Sequence, residues 1–406
     1  MATTAPAALG SHRPFTRYWL TTGSSSTANQ IVTVALGWRV YELTGQALDL
    51  GLIGLIQFIP ALLLALPAGH LVDRHSRRTI LRSALALEAA AAGLAALGSA
   101  TGLMGVGGLF LAAALLGVAR AFEWPAASSL LPGLVPRASY PRAVAWTSSV
   151  RQVATIIGPA LGGGLYTLGP TAAFATCAAA WLTGLTLALG LPKAAQQRPN
   201  EPPTLASVLA GIGFIWQRKE ILGAISLDLF AVLLGGATAL LPIYARDILA
   251  AGPIGLGVLR GAPAVGALIV SAALARWPLQ RRNGPAMFAG VAVFGLATCV
   301  FAVSQSFALS LAALAVMGAS DMISVYVRLN LVQLRTPDQM RGRVTAVNGL
   351  FIGTSNQLGE FESGVTAALL GTVPAVLLGG LGTLAVVALG ALLIPSLWKV
   401  DRLDTA

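Results

Sequence analysis

The chain has 406 residues, 56% of them hydrophobic and only 10% charged, with a net charge of +11 and a mean hydropathy of +0.77. A soluble domain carries roughly 25% charged residues, so this composition excludes a large soluble core and points to an integral membrane protein. The 46 glycines and 22 prolines fit the same reading, because both are commoner in membrane helices than in soluble ones.

A bilayer core of about 30 Å takes about 20 apolar residues per helix. On that measure the sequence predicts an all-α membrane protein with twelve transmembrane segments. In chain order these are 17–42, 48–72, 79–99, 104–124, 142–167 and 171–191, then 220–245, 253–276, 285–304, 307–328, 341–369 and 371–395. Helices are expected because a backbone in lipid must satisfy its own hydrogen bonds. The first fifteen residues are rich in Ala, Pro and Thr without an apolar core, so no cleavable signal peptide is expected.

The basic residues follow the segments. Arg13 and Arg17 precede the first, Arg74, Arg77, Arg78 and Arg82 follow the second, and Arg137 and Arg142 follow the fourth. Lys193, Arg198, Arg218 and Lys219 lie in the central break, and Arg276, Arg281 and Arg282, then Arg335, Arg341 and Arg343, then Lys399 and Arg402 come after it. If every segment spans once, all of these fall on one side, and Arg246 is the exception opposite. This is the positive-inside pattern, so the protein is expected in the plasma (inner) membrane with both termini cytoplasmic. The positive charge is then a topology signal and nucleic acid is not expected as a partner.

The longest polar break, 192–219, contains Pro192, Pro199, Pro202 and Pro203 and divides a first half, 1–191, from a second, 220–406. Its second part places Leu205, Val208, Leu209, Ile212, Ile215 and Trp216 on one helical face, which predicts an interfacial amphipathic helix. The halves also resemble each other. At an offset of 203, Tyr41, Gly54 and Pro60 match Tyr244, Gly257 and Pro263; at 201, Pro136, Arg142, Gly158 and Gly163 match Pro337, Arg343, Gly359 and Gly364. Parallel six-helix repeats are a recurrent transporter plan, with the substrate site between them and rocking of one half against the other.

Residues 69–78, Gly-His-Leu-Val-Asp-Arg-His-Ser-Arg-Arg, match the loop signature Gly-x-Leu-x-Asp-Arg-x-x-Arg-Arg of the major facilitator superfamily. The stretches 130–165 and 335–356 resemble its exporter branch, which contains the enterobactin exporter and macrolide and drug:proton antiporters. The resemblance covers nearly the whole chain. It implies the major facilitator fold of two pseudo-symmetric six-helix halves, and a conformational latch at Gly69, Asp73, Arg74, Arg77 and Arg78. There Asp73 would face the N-terminus of the eleventh segment, where a carboxylate is worth roughly 0.3–1 kcal/mol. Gly69 would permit close helix contact, and the three arginines would bind acidic groups or lipid phosphates. Gly158, Pro159, Gly162 and Gly163 resemble the antiporter motif, although Ala154 stands where that motif has a further glycine. The corresponding loop of the second half keeps Arg281 and Arg282 but has no aspartate.

Ionisable side chains inside the segments cost about 2.5–3.5 kcal/mol each on insertion scales, so each needs a reason. The candidates for proton coupling or the cavity are Asn29, Arg120, Glu123, Arg151, Asp228, Asp321, Arg328, Glu360 and Glu362, with Arg39, Glu88 and Arg260 also intramembrane. Arg120 and Asp321 correspond at the 201 offset and are expected to face each other as a charge pair. Asp321 and Asp228 come first as proton carriers; the alternative is that these charges only pin helices together. Cys177 and Cys299 lie in apolar runs, and His70 and His75 sit in a short loop without metal-ligand spacing, so neither a disulfide, a metal nor any other cofactor is expected.

The sequence carries no nucleophile–base pair, Walker loop or metal cluster, so an enzyme is not expected. The expected function is secondary active, proton-coupled efflux of a small amphipathic molecule of the siderophore or drug class by a monomer, its partners being substrate, protons and the lipid bilayer. The alternatives are an importer or lysolipid flippase of the same fold, and a non-transporting membrane receptor.

Overall fold

A computed structural model describes residues 12–192 and 205–402. The stretch before His12 and the linker residues Lys193, Arg198, Pro199, Pro202 and Pro203 lie outside them. Every described element is helical. The chain runs α1 (Arg13–Thr44), α2 (Ala47–Arg74), α3 (Arg77–Ala100), α4 (Val106–Leu130), α5 (Tyr140–Tyr166) and α6 (Pro170–Leu189). After the linker come α7 (Leu205–Gln217), α8 (Lys219–Leu234), α9 (Gly252–Arg276), α10 (Asn283–Val303), α11 (Phe307–Arg335), α12 (Asp338–Leu370) and α13 (Thr372–Leu393).

Among the described residues, nine helices are long and apolar enough to cross a membrane. Helices α1, α5 and α12 are longer than a bilayer requires, at 32, 27 and 33 residues, but more polar. The outward faces are apolar: Leu97, Leu111, Ile269, Leu369 and Leu392 are each more than half exposed. In water such surfaces would drive aggregation; in lipid they are the solvated side.

The chain divides into two compact units, Met1–Leu43 with Ile56–Pro203, and Thr44–Leu55 with Thr204–Ala406. Two segments therefore group differently from the sequence reading. The start of α2 joins the second unit because Gly51 packs on Gly364, and Gly54 lies under Glu360 of α12. The linker helix α7 also joins it, seating Gly211 on the Arg343 backbone and burying Ile215 in a core with Ile221, Phe288, Leu331 and Val347. Leu209 and Trp216, expected on the same face as Ile215, are instead exposed, at 63% and 71%.

The internal repeat reappears as packing. In the first unit a Cβ at Gly117 of α4 would collide with the Gln57 carbonyl of α2; in the second a Cβ at Gly318 of α11 would collide with the Pro263 carbonyl of α9. Gly117 and Gly318 correspond at the 201 offset. The turns before α6 and α13 both need a glycine at positive φ, Gly169 at 106° and Gly371 at 92°, where an L side chain is strained. Gly117→Val is expected to force α2 and α4 apart and cost about 1–3 kcal/mol. Thermal unfolding of the detergent-solubilised protein checks this, and an unchanged midpoint would show that the crossing is loose.

Candidate functional site

The first unit lines a half-open cavity of about 310 Å³. Its wall takes Thr21, Thr22, Ser26, Asn29 and Gln30 from α1, Arg120, Glu123 and Trp124 from α4, and Arg151 and Thr155 from α5. These residues share a face because glycines of α5 bring its backbone close against α1. A Cβ at Gly158 would meet Gln30, and one at Gly162 would meet the Ile31 backbone. Gly158, Pro159, Gly162 and Gly163 are all buried. The antiporter-like stretch thus sets the α1–α5 approach that lines one side of the cavity, as small-residue stripes do in membranes.

Within the cavity the charges are organised by hydrogen bonds. Arg120 donates through Nε to Asn29 Oδ1 at 2.7 Å and through Nη1 to Gln57 Oε1 at 2.9 Å, joining α4 to α1 and α2. Asn29 also donates to the Ser25 carbonyl at 3.1 Å. Ser25 donates to Glu123 Oε1 and accepts from Trp181 Nε1 at 3.2 Å. Arg151 lines the same space beside Tyr18. Of the sequence candidates, the structure therefore brings together Asn29, Arg120, Glu123 and Arg151, with both signs of charge present.

The second unit holds the other set. Arg328 Nη1 lies 2.7 Å from Asp228 Oδ2, and their side chains are only 3% and 5% exposed. Ser324 donates to Asp228 Oδ1 at 3.3 Å. Asp321, one turn before Ser324 on α11, feels both Asp228 and Arg328, so two acids share one arginine. Glu360 lies in the field of Arg260 and against Gly54. Glu362 accepts from Thr366 Oγ1 at 2.8 Å on its own helix.

Asp73 and Arg74 form the end of α2, with Gly69 one turn before, and Arg77 and Arg78 begin α3. The arginines here have work that the sequence did not disclose. Arg77 Nη1 donates to the Ser129 carbonyl at 2.8 Å, and Arg78 Nη1 to the Leu191 carbonyl at 3.0 Å. Arg82 reaches the Ala188 and Leu189 carbonyls, and Arg17 Nη1 reaches Gly190 at 2.6 Å. They close the ends of α4 and α6, whose last carbonyls have no partner in their own helix. The signal available in sequence was a cluster of arginines level with two predicted helix ends.

A second overlooked set pins α1 to α5 near their far ends. Tyr166 donates to Glu42 Oε2 at 2.6 Å, and Arg39 Nη1 donates to the same oxygen at 2.8 Å. Among the described residues no group of three or more His, Cys, Asp or Glu is placed to hold a metal ion, and Cys177 and Cys299 are free thiols.

The chain is 22% identical over 405 residues to macrolide efflux protein A of Streptococcus pyogenes, covering 96% of this chain and 97% of that protein. It is 29% identical over 344 residues to the multidrug efflux pump Tap of Mycobacterium tuberculosis, covering 82% and 81%. A crystal structure of a POT family transporter in complex with 5-aminolevulinic acid shares the fold, with a TM-score of 0.76 at 11% identity over 98% of each chain. A family profile described as transmembrane secretion effector matches residues 3–405. Because that match spans the chain, the protein belongs to this family, in the exporter branch of the major facilitator superfamily, and is a multi-pass membrane transporter rather than an enzyme.

Proposed function

We propose that the protein is a proton-coupled exporter of a small amphipathic molecule, of the drug or siderophore class, working by alternating access in the plasma membrane. In this reading the polar helices α1, α5 and α12 also span, which makes twelve crossings in a monomer with both termini cytoplasmic. The halves 1–191 and 220–406 rock about the linker 192–219. Asp73 with Gly69, Arg74, Arg77 and Arg78 forms the cytoplasmic latch.

The observation that carries the reading is the cavity of the first unit, where Arg120, Glu123 and Arg151 stand beside Trp124 inside an otherwise apolar bundle. Charges there are costly, and this set surrounds space rather than packing only against itself. Cavities of about 300–1,000 Å³ with a few placed polar groups suit small molecules. The names of the efflux relatives point the same way. In the second unit Asp321 is the proposed proton carrier, because Arg328, which acts on it, is already paired with Asp228.

Expression in a pump-deficient bacterial host tests this by accumulation of labelled erythromycin and ethidium. Wild type is expected to lower accumulation of at least one and to lose that effect on adding an uncoupler. Efflux that survives the uncoupler would refute proton coupling. Asp321→Asn is expected to abolish uphill export while leaving exchange of substrate between the two sides; full uphill export by this variant would remove Asp321 from the role.

A further inference from the structure

Among the described acids of the first unit, Glu88 of α3 stands apart. It is 0% exposed, yet neither carboxyl oxygen accepts a hydrogen bond from any donor. The group beside it is a second carboxylate, Glu123 of α4, with Arg120 the nearby cation. Other packed elements bring little charge. Helix α6, the main partner of α3, carries no Asp, Glu, Lys or Arg, and its Cys177 thiol points to the Ala28 carbonyl at 3.6 Å. Helix α1 offers Ser25 and Tyr18, and α5 offers Arg151, which lines the cavity together with Glu123. Arg120 spends Nε and Nη1 on Asn29 and Gln57.

A fully buried carboxyl without a donor, set beside a second carboxyl that is half-buried, leaves acceptor atoms unsatisfied, which native interiors avoid. One proton between them repairs this, because a protonated carboxyl is itself a donor. Glu123 also lines the cavity, and its other contact is the Ser25 hydroxyl. The pair is thus deep on the Glu88 side and open to the cavity on the Glu123 side.

We propose that Glu88 and Glu123 hold one exchangeable proton beside the cavity of the first unit, a proton site additional to Asp321. The O–H bond breaks at the pair, the proton leaves to cavity water through Glu123, and both carboxylates remain. A ligand group that draws Ser25 away, or that brings a positive charge to Glu123, alters the hold on that proton; ligand and proton are then linked through one side chain. The role in transport rests on the proton-driven export proposed above, whereas the existence of the site does not.

Infrared difference spectra of the purified protein between acidic and basic buffer, without ligand, test the site directly. A carboxylic acid band that disappears at basic pH is expected in wild type, lost in Glu88→Gln and lost or displaced in Glu123→Gln. A band unchanged in either variant, or no titrating band that depends on them, would overturn the proposal, so failure of one variant to fold leaves the other to decide. In proteoliposomes with an imposed pH gradient, Glu88→Gln is expected to lose gradient-driven erythromycin accumulation. Accumulation equal to wild type would overturn its role in coupling. If wild type itself ignores the gradient, the export reading fails, and the infrared result still settles whether the pair binds a proton.

Discussion

Arg328→Ala is expected to destabilise the second unit by about 3–5 kcal/mol, the usual cost of stranding a buried charge. The pair it breaks is nearly dry, with Nη1 of Arg328 2.7 Å from Asp228 Oδ2 and Ser324 completing the acid's contacts. Removing the arginine takes away the positive charge that acts on both Asp228 and Asp321. Removing the acid's charge as well should recover most of the loss, so Arg328→Met with Asp228→Leu is expected to melt close to wild type. Buried pairs often cost as much in desolvation as they return. Thermal unfolding of the detergent-solubilised variants measures both. A single variant as stable as wild type would mean that water reaches the pair. A double variant as unstable as the single one would mean that the loss is packing, not charge.

The double variant separates stability from function as well. If Asp228 and Arg328 serve only to bind α8 to α11, the repacked protein should still export. If they hold Asp321 in the state that takes up a proton, it should be folded and inactive. The two results therefore distinguish the pinning role, which the sequence left open, from a part in coupling.

The helices were legible because lipid imposes a simple rule, about 20 apolar residues per helix: each of the twelve expected segments overlaps a helix, and nine of the described helices are long and apolar enough to cross a membrane. Local breaks were harder. The seventh segment reads as one helix over 220–245, but α8 stops at Leu234, and the chain continues through a 3-10 turn, a short α turn and a π turn to Ile248. The Gly235–Gly236 pair marks the break. At Gly236 a side chain would collide with the Gly359 carbonyl and Ser363 of α12; the sequence shows two glycines but not the helix pressed against them. Of the apolar face expected on the linker helix α7, Ile212 and Ile215 pack into the core while Leu209 and Trp216 stay exposed, because Gly211 sets how closely the helix meets α12.

Charge partners were the least legible part of the site. Arg328 and Asp228 were both recognisable as costly, but nothing local joins residues a hundred positions apart. The repeat offset aligned Arg120 with Asp321; the bonds seen for Arg120 run to Asn29 and Gln57, and the charges seen near Asp321 are Asp228 and Arg328. Glycine spacing, by contrast, transferred well. Gly117 and Gly318 make the same crossing in their own units, because a helix crossing depends on volume, which a residue's identity states outright.

That crossing bears on the second large effect, at Arg120. With Gly117 against the Gln57 carbonyl, α2 comes close enough to α4 for Gln57 Oε1 to reach the guanidinium at 2.9 Å, while Asn29 receives Nε at 2.7 Å. One planar group thereby fixes three helices around the cavity. Charge-assisted bonds of this kind are worth roughly 1.5–3 kcal/mol each, so losing the productive arrangement of even one corresponds to a roughly tenfold to hundredfold change. Arg120→Ala is expected to reduce export by that factor with the protein still in the membrane. Arg120→Lys is not expected to restore it, since an ammonium cannot serve two acceptors at the fixed angle of a guanidinium fork. Gln57→Leu should give a smaller defect, because it removes one acceptor and keeps the other. Initial efflux rates at matched expression measure the series. If lysine restores full activity, Arg120 supplies only charge, and the three-helix clamp is not what shapes the cavity.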